Sequence, residues 1–194
     1  WGKQLFRLAT LQLKTFSPTV LPDLQTENKL ASAYKKLRAS AQIQFDGEKR
    51  NLAQMEPFLE AKARSTRQEA QEAYTGFFRA HETEFDRIYD QLVKVRNRIA
   101  KKLGFENFIK LGYARLGRSD YNETMVAGYR RQVLATLVPL ATQLRTRQAK
   151  RLGLAALKYY DEPLAFRSGN AVPTGDVSNI LQQGLRMFQE LSPE

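Results

Sequence analysis

The stretch KKLGFENFIKLGYARLGRSDYN, residues 101–122, carries three glycines and five lysines or arginines among its aromatic side chains. Two structures would suit this pattern. One is a basic, aromatic surface for a polyanion, and the other is a set of tight corners between packed helices. The periodicity of the flanking sequence favours the corners.

Upstream of this stretch, the sequence predicts a long helix that begins near Ser65 and ends at Leu103, weakened only at Gly76. Thr66 and Glu69 have the spacing of a capping box. Gly104 follows the helix, where glycine favours a left-handed C-terminal cap. The helix is predicted from apolar residues at helical spacing: Phe85, Ile88, Tyr89, Leu92, Val95, Ile99 and Leu103.

Downstream of Gly104, we expect a short helix containing Phe108, then a loop over 117–122 and a helix over 123–152. Pro139 is predicted to kink the long helix, because an interior proline loses one backbone hydrogen bond and clashes with the preceding turn. Gly153 would end it. A final helix is predicted from an apolar stripe of Val177, Ile180, Leu181, Phe188 and Leu191.

The N-terminal part combines a predicted helix over 23–42 with a short β-hairpin. Asp46-Gly47 is the favoured dipeptide of a two-residue hairpin turn, because both positions take positive φ. Residues 52–60 are expected to form one or two helical turns. The predicted fold is therefore all-α with one hairpin near residues 43–52, a single helical region over 1–194 with a possible boundary between 1–45 and 46–194.

The residue inventory excludes several kinds of site. The chain has no cysteine and one histidine, His81, so disulfides, thiolate metal sites and paired imidazoles are absent. Phe78 stands where a Glu-x-x-His metal motif needs its glutamate. Glu82, Asp86 and Asp90 share a helix face, which we interpret as a solvated charged face. We expect no catalytic residue and no metal ligand in this chain.

The positive charge is concentrated in one part of the sequence. The net charge is +11, and residues 94–151 hold fourteen lysines and arginines against three acids. Such a stretch can attract nucleic acid, anionic lipid or acidic peptides, or be neutralised by acidic segments elsewhere. No recognised nucleic-acid motif or phosphate-binding glycine loop accompanies it. A free-standing basic helical module that binds nucleic acid remains the alternative function.

Three stretches carry a resemblance to a known family. They are ENKLASAYKKLRASAQIQFDGEKRNL at 27–52, VKVRNRIAKKLGFENFIKLGYARLGRSDYN at 93–122 and RQAKRLGLAALKYYDEPLAFRSGNAVPTG at 147–175. Together they closely resemble oligoendopeptidase F, within the thimet-oligopeptidase-like family of zinc metallopeptidases. The resemblance covers nearly the whole chain, although no single short motif in it is diagnostic.

The resemblance implies a largely α-helical peptidase with a channel that admits short peptides. The family's zinc is held by H-E-x-x-H and a later glutamate, and this chain contains no His-Glu pair. We therefore expect a catalytically inactive piece of a longer enzyme, a helical lobe that walls the channel. Its implied partners are short peptides and the missing catalytic lobe, with zinc present only in the intact parent and none in this chain.

The loop after the short helix offers the best candidates for substrate-channel or interlobe contacts. Arg118 and Asp120 can orient peptide groups or a neighbouring helix end through charge-assisted hydrogen bonds, and an intramolecular Arg/Asp corner is an equally good interpretation. A cytoplasmic location fits the lack of cysteine without being required by it, and no apolar run is long enough to span a membrane. The full candidate set is Tyr113, Arg115, Arg118, Asp120 and Tyr121.

Two further expectations concern the chain as an isolated molecule. A lobe without its partner exposes apolar surface, so the chain can self-associate. Besides the peptidase lobe and the nucleic-acid-binding module, the sequence allows a third function, that of a protein-interaction domain left after gene truncation. The start at Trp1 without methionine and the end at Ser192-Pro193-Glu194 suggest a piece of something longer.

Overall fold

The computed structural model describes residues 2–192, and the chain ends Trp1, Pro193 and Glu194 lie outside them. Helices dominate this part of the chain. They are α1 (Gly2–Lys14), α2 (Leu21–Ala39), α3 (Glu56–Leu59), α4 (Arg64–Ala80), α5 (Glu82–Lys102), α6 (Phe108–Arg115), α7 (Glu123–Gln132), α8 (Val138–Leu152) and α9 (Val177–Leu191). Short 3-10 turns lie at Pro18–Val20, Ala53–Met55 and Tyr159–Asp161.

The predicted hairpin is present and confirms the all-α fold with one β-hairpin. Strands β1 (Ile43–Phe45) and β2 (Glu48–Arg50) pair antiparallel, with Phe45 opposite Glu48. The turn between them has φ of 50° at Asp46 and 76° at Gly47. Both values are positive, as a type I′ turn requires.

The glycines that follow α5 and α8 form the predicted helix ends. After α5, Gly104 has φ of 80°, and the N–H of Phe105 donates to the carbonyl of Ala100 at 2.9 Å. After α8, Gly153 has φ of 72°, and the N–H of Leu154 donates to the carbonyl of Ala149 at 2.9 Å. Both are Schellman caps, in which a left-handed residue satisfies the last helical carbonyls.

The predicted helix from Ser65 to Leu103 is two helices, so this expectation was wrong. His81 interrupts it with φ of −113° and ψ of 15°, and its Nδ1–H donates to the carbonyl of Phe77 at 2.8 Å. The break brings the ring centres of Phe78 and Phe85 to 5.5 Å, so aromatic packing compensates for the lost helical bonds.

The capping box predicted at Thr66 and Glu69 is also absent from the first turn of α4. That helix begins at Arg64, after Ala63, whose side chain makes no capping hydrogen bond. Thr66 therefore lies inside the first turn. The sequence pattern has the form of a capping box, but Thr66 lies two residues beyond Arg64, where the helix starts.

Pro139 disturbs its helix as predicted, but through a π-helical turn. Residues Val133–Leu137 form this turn between α7 and α8, and the N–H of Val138 donates to the carbonyl of Val133, five residues earlier. Proline has no N–H and crowds the preceding turn. A π turn just before it widens the helix there and accommodates the ring.

Two buried clusters hold the described part of the chain together. The first joins the turn before α2 to α5 and α6 through Val20, Val95, Ile99, Ala100 and Leu111. The second packs the hairpin against the following helices through Ile43, Met55 and Ala70. Within residues 2–192, no helix is both long and apolar enough to cross a membrane.

Candidate functional site

The corner between α6 and α7 gathers three of the five candidate side chains. The rings of Tyr113 and Tyr121 meet edge to face, with their centres 6.1 Å apart. The guanidinium carbon of Arg118 lies 4.8 Å from the ring centre of Tyr113 and 5.9 Å from that of Tyr121. Aromatic faces attract cations at these distances. We call these three residues the Arg118 cluster.

The local sequence explains why the cluster forms. Gly117 has φ of 65°, and the N–H of Arg118 donates to the carbonyl of Tyr113 at 3.0 Å. This left-handed cap reverses the chain at the end of α6. Asn122 then starts α7, because its side chain accepts a hydrogen bond from the N–H of Met125 at 3.0 Å. The C-terminal cap of α6 and the N-cap of α7 thus fix the two helix ends between which the Arg118 cluster lies.

Asp120, the fourth candidate, joins the corner to α1. Its carboxylate accepts a hydrogen bond from Arg7 at 3.0 Å and another from the hydroxyl of Ser119 at 3.1 Å. The amide of Gln4 donates to the Ser119 hydroxyl at 3.2 Å. The Arg7–Asp120 pair is an exposed ion pair, of a kind that contributes little to stability. Asp120 thus forms an intramolecular ion pair with Arg7 that joins the corner to α1.

Arg115, the fifth candidate, points away from the cluster to α2. Its Nη1 donates to both carboxylate oxygens of Glu27, at 3.2 and 3.0 Å. Arg96 on α5 donates to the same carboxylate at 2.7 Å. The Nη2 of Arg115 is buried and has no hydrogen-bond partner within residues 2–192. Arg115 thus ties α6 to α2 rather than joining the other four candidates.

Two grooves meet at Arg118. One has a volume of about 420 Å³ and lies along the start of α7, lined by Arg118, Tyr121, Met125, Val126 and Tyr129. The other, of about 640 Å³, runs along α1. Its lining is Lys3, Phe6, Arg7, Thr10, Leu11, Arg118 and Ser119. Arg118 therefore stands between a mostly apolar groove and a basic one.

A buried carboxylate on α2 organises the hub formed by α2, α5 and α6. Asp23 accepts hydrogen bonds from Lys102 at 2.6 Å and from Arg98 at 2.8 Å. These bonds lower the pKa of Asp23 below its ordinary value, Lys102 first and Arg98 second, against the opposing effect of burial. In the sequence, Asp23 marks only the start of the predicted helix over 23–42, and nothing there indicates this role.

A second buried carboxylate, Asp161, fastens the loop after α8 to α4. Arg64 donates to it through two nitrogens at 3.0 and 2.8 Å, and Arg67 donates at 2.9 Å. Burial acts to raise the pKa of Asp161, but the bonds from Arg64, the Lys158 backbone and Arg67 together lower it to about 2. Arg64 and Arg67 lie in the first turn of α4, where a positive charge interacts unfavourably with the helix dipole. This unfavourable position was the sequence signal that the two arginines have an acidic partner.

Solved structures place this arrangement among known proteins. An oligoendopeptidase F structure is 58% identical with a TM-score of 0.95, covering all of this chain and 34% of its own. A PZ peptidase A solved with an inhibitor is 57% identical, with the same TM-score and coverage. An oligoendopeptidase F from Bacillus anthracis str. Ames is 56% identical with a TM-score of 0.92, over 98% of this chain and 35% of its own. No protein-family model matches the chain, and no curated protein does.

Along its whole length the chain matches part of an oligoendopeptidase F structure, as a fragment of that family would. It spans about a third of the length of the solved oligoendopeptidase F and PZ peptidase structures that it matches. The resemblance stated from the sequence is confirmed, and so is the helical fold.

Carboxylates of the same chain partly neutralise the basic stretch. Of the fourteen lysines and arginines in residues 94–151, seven have a carboxylate within 4.0 Å. This pairing leaves less free charge for a polyanion than the sequence indicates. The seven are Lys94, Arg96, Arg98, Lys102, Lys110, Arg115 and Arg145.

The donor groups of this chain do not fit the zinc that the resemblance implies. His81 is the one imidazole in the sequence, and its Nδ1 is engaged by the carbonyl of Phe77. In residues 2–192, no three histidine, cysteine, aspartate or glutamate side chains are grouped as a metal site would need. The buried carboxylates Asp23 and Asp161 face arginines and lysines instead. No catalytic step can be assigned to a metal held by these residues.

Proposed function

We propose that this chain is a noncatalytic helical lobe of an oligoendopeptidase F-like zinc peptidase, where it walls the channel that admits short peptides. One observation carries the proposal. The whole chain superimposes on an oligoendopeptidase F structure at 58% identity while accounting for 34% of it. The proposed partners are the remaining part of such an enzyme and its peptide substrates, in the cytoplasm.

The hydrolytic chemistry belongs to another part of the relatives under this proposal. Peptide hydrolysis by H-E-x-x-H enzymes needs two imidazoles and a carboxylate on zinc, with the motif's glutamate acting on the attacking water. One histidine cannot supply this set. The isolated chain is accordingly expected to be inactive.

Exposed apolar faces on α7, α8 and α9 support the proposal that this lobe packs against the rest of a larger enzyme. On α9, all the large apolar side chains are exposed, among them Leu181 at 63% and Phe188 at 68%. The helix that contains α7 and α8 also exposes a row of apolar residues: Met125, Tyr129, Leu134, Leu137, Val138, Leu140 and Leu144. Apolar surface of this extent is typical of an interface.

A reconstitution experiment tests the proposal. The chain would be purified and mixed with a PZ peptidase or oligoendopeptidase F from which the matching third has been deleted. Cleavage of a short fluorogenic peptide is expected only with both pieces present. A chain carrying Leu181→Ser and Phe188→Ser is expected to reconstitute less activity than one carrying Gln182→Ser and Gln183→Ser on the same helix.

Two results would contradict the proposed role. Peptide cleavage by the protease-free chain alone would show that it holds its own catalytic centre. Full activity of the deleted enzyme without the chain would show that the matching third contributes nothing to the channel.

A further inference from the structure

Arg118 differs from the arginines of the hub formed by α2, α5 and α6 in having no carboxylate partner. Arg96 and Arg115 both pair with Glu27, and Arg98 pairs with Asp23. Among residues 2–192, no aspartate or glutamate oxygen lies within 4.0 Å of the Arg118 guanidinium, since the ion pairs of the described chain do not include it. The nearby carboxylate, that of Asp120, is taken by Arg7 at 3.0 Å.

The Arg118 guanidinium is nevertheless held in place. It lies over Tyr113 and beside Tyr121, and its own backbone N–H is fixed by the cap at the end of α6. A long side chain that is already ordered loses less conformational entropy when it binds an anion. An ordered cation that lacks a partner is therefore preorganised for a carboxylate, to which arginine donates in a bidentate geometry.

The groove next to Arg118 indicates which kind of molecule would carry the carboxylate. Beyond the guanidinium, its lining is made of Tyr121, Met125, Val126 and Tyr129. The volume of about 420 Å³ lies within the range of small-ligand sites. A single cation beside an apolar groove matches a molecule with one negative charge and one large apolar group. A nucleic acid would need a row of cations along the groove, and Arg118 is the one cation among residues 2–192 that lines this groove.

Resting on the proposed peptidase role, we propose that the Arg118 cluster binds the C-terminal carboxylate of a short peptide whose last side chain is large and apolar. The guanidinium takes the carboxylate, and the side chain lies in the groove along α7. In the neighbouring groove Arg7 is paired with Asp120, and Lys3 adds long-range attraction for the same charge.

Binding of a blocked dipeptide to the purified chain tests this site. N-acetyl-Ala-Phe with a free carboxylate would be titrated at low salt and followed by NMR, in parallel with its C-terminal amide. The acid is expected to bind about tenfold more tightly than the amide, because only the acid makes charge-assisted hydrogen bonds. N-acetyl-Ala-Ala with a free carboxylate is expected to bind more weakly than the phenylalanine acid, because it leaves the groove empty.

Substitutions locate the binding on the chain. Arg118→Gln is expected to remove the preference for the acid, and Arg118→Lys to restore part of it. Tyr129→Ala is expected to weaken both the acid and the amide. Arg147→Gln is the matched control, because it removes one exposed arginine of α8 that has no carboxylate partner within residues 2–192 and lines neither groove. Circular dichroism would verify that each variant is folded.

Three results would overturn the proposal. Equal binding of acid and amide to the unchanged chain would exclude a carboxylate site, whatever the variants do. An equal loss with Arg147→Gln would show general attraction to a basic protein. The absence of binding at millimolar peptide would show that the groove has another occupant. None of these results bears on reconstitution of activity, so the proposed function can stand or fall separately.

Discussion

Helices α2 and α9 show how differently two helices of one chain can be used. The apolar stripe of α9 is plain in the sequence, yet no residue of α9 is buried. In α2 the stripe is weaker, yet this helix packs on α5 and carries the buried carboxylate Asp23. An apolar stripe therefore indicates that a helix packs against a partner. It does not indicate whether the same chain supplies that partner.

The same contrast separates the two halves of the molecule. In the hub of α2, α5 and α6, the carboxylates of Asp23 and Glu27 form ion pairs with arginines of the hub. Asp161 forms ion pairs with the arginines in the first turn of α4. The α7–α8 helix and α9 leave their apolar faces open. Substitutions in the first set are therefore expected to change the stability of the chain, and substitutions in the second to change its association.

The largest effect is expected from Asp161→Ala. The side chain of Arg67 is 3% exposed and would keep its charge without a carboxylate. Removing one partner of a buried pair costs about 3–5 kcal/mol of unfolding free energy, which urea denaturation followed by circular dichroism would measure. Asp90→Ala, which removes an exposed partner of Lys94, is the control. Similar losses for the two variants would contradict a special role for the buried network.

The next effect is a loss of stability in acid. The pKa of Asp161 is about 2 in the folded chain and about 3.8 when unfolded. The unfolded state therefore binds the proton more readily, so the stabilisation is complete above about pH 4–5 and lost as the pH falls towards 2. The loss is about 2 kcal/mol for this group. Urea midpoints between pH 7 and 2.5 would show it, and a chain carrying Asp161→Ala is expected to depend less on pH.

A smaller effect is expected from Glu27→Gln in the hub. Its carboxylate is mostly buried and serves both Arg96 and Arg115. Losing charge-assisted bonds there is expected to lower the unfolding free energy by about 1–3 kcal/mol. Glu84→Gln, which removes an exposed pair with Arg87, is expected to cost less than Glu27→Gln, because solvent screens an exposed pair. Equal urea midpoints for the two variants would show that the hub pairs add nothing beyond surface pairs.

The smallest change in stability is expected on α9. Leu181→Ser and Phe188→Ser together are expected to alter the unfolding free energy by less than about 0.5 kcal/mol, because both side chains are exposed. Their effect is expected in solution, where sedimentation velocity would show less self-association than in the unchanged chain. Gln182→Ser with Gln183→Ser serves as the control. A large loss of stability in the first pair would mean that α9 is packed within the chain.

Local sequence was sufficient where a residue decides its own backbone. Asp46-Gly47, Gly104 and Gly153 were predicted as a turn and two helix ends, because positive φ is a property of single residues. Pro139 was predicted to disturb its helix for the same reason, since its ring acts on the turn beside it. The possible boundary at the hairpin, which divides residues 1–45 from 46–194, stays a prediction.

Local sequence was insufficient where distant residues compete. The break at His81 depends on Phe77, Phe78 and Phe85 packing across it, which periodicity alone does not show. Among the candidate site residues, Tyr113, Arg118 and Tyr121 came together as a cluster. Arg115 did not, because Glu27, eighty-eight positions earlier in the sequence, lies where it can pair with it.

The helical periods, the corners at which helices end and the available chemical groups, including the single imidazole, follow from the amino-acid sequence alone, because they depend on residues and their near neighbours. The tertiary structure alone decided which cations are neutralised and which, like Arg118, stay without a partner, and which apolar stripes are covered. Those outcomes depend on groups far apart in the chain, and only folding brings such groups within the few ångströms over which ion pairs and packing act.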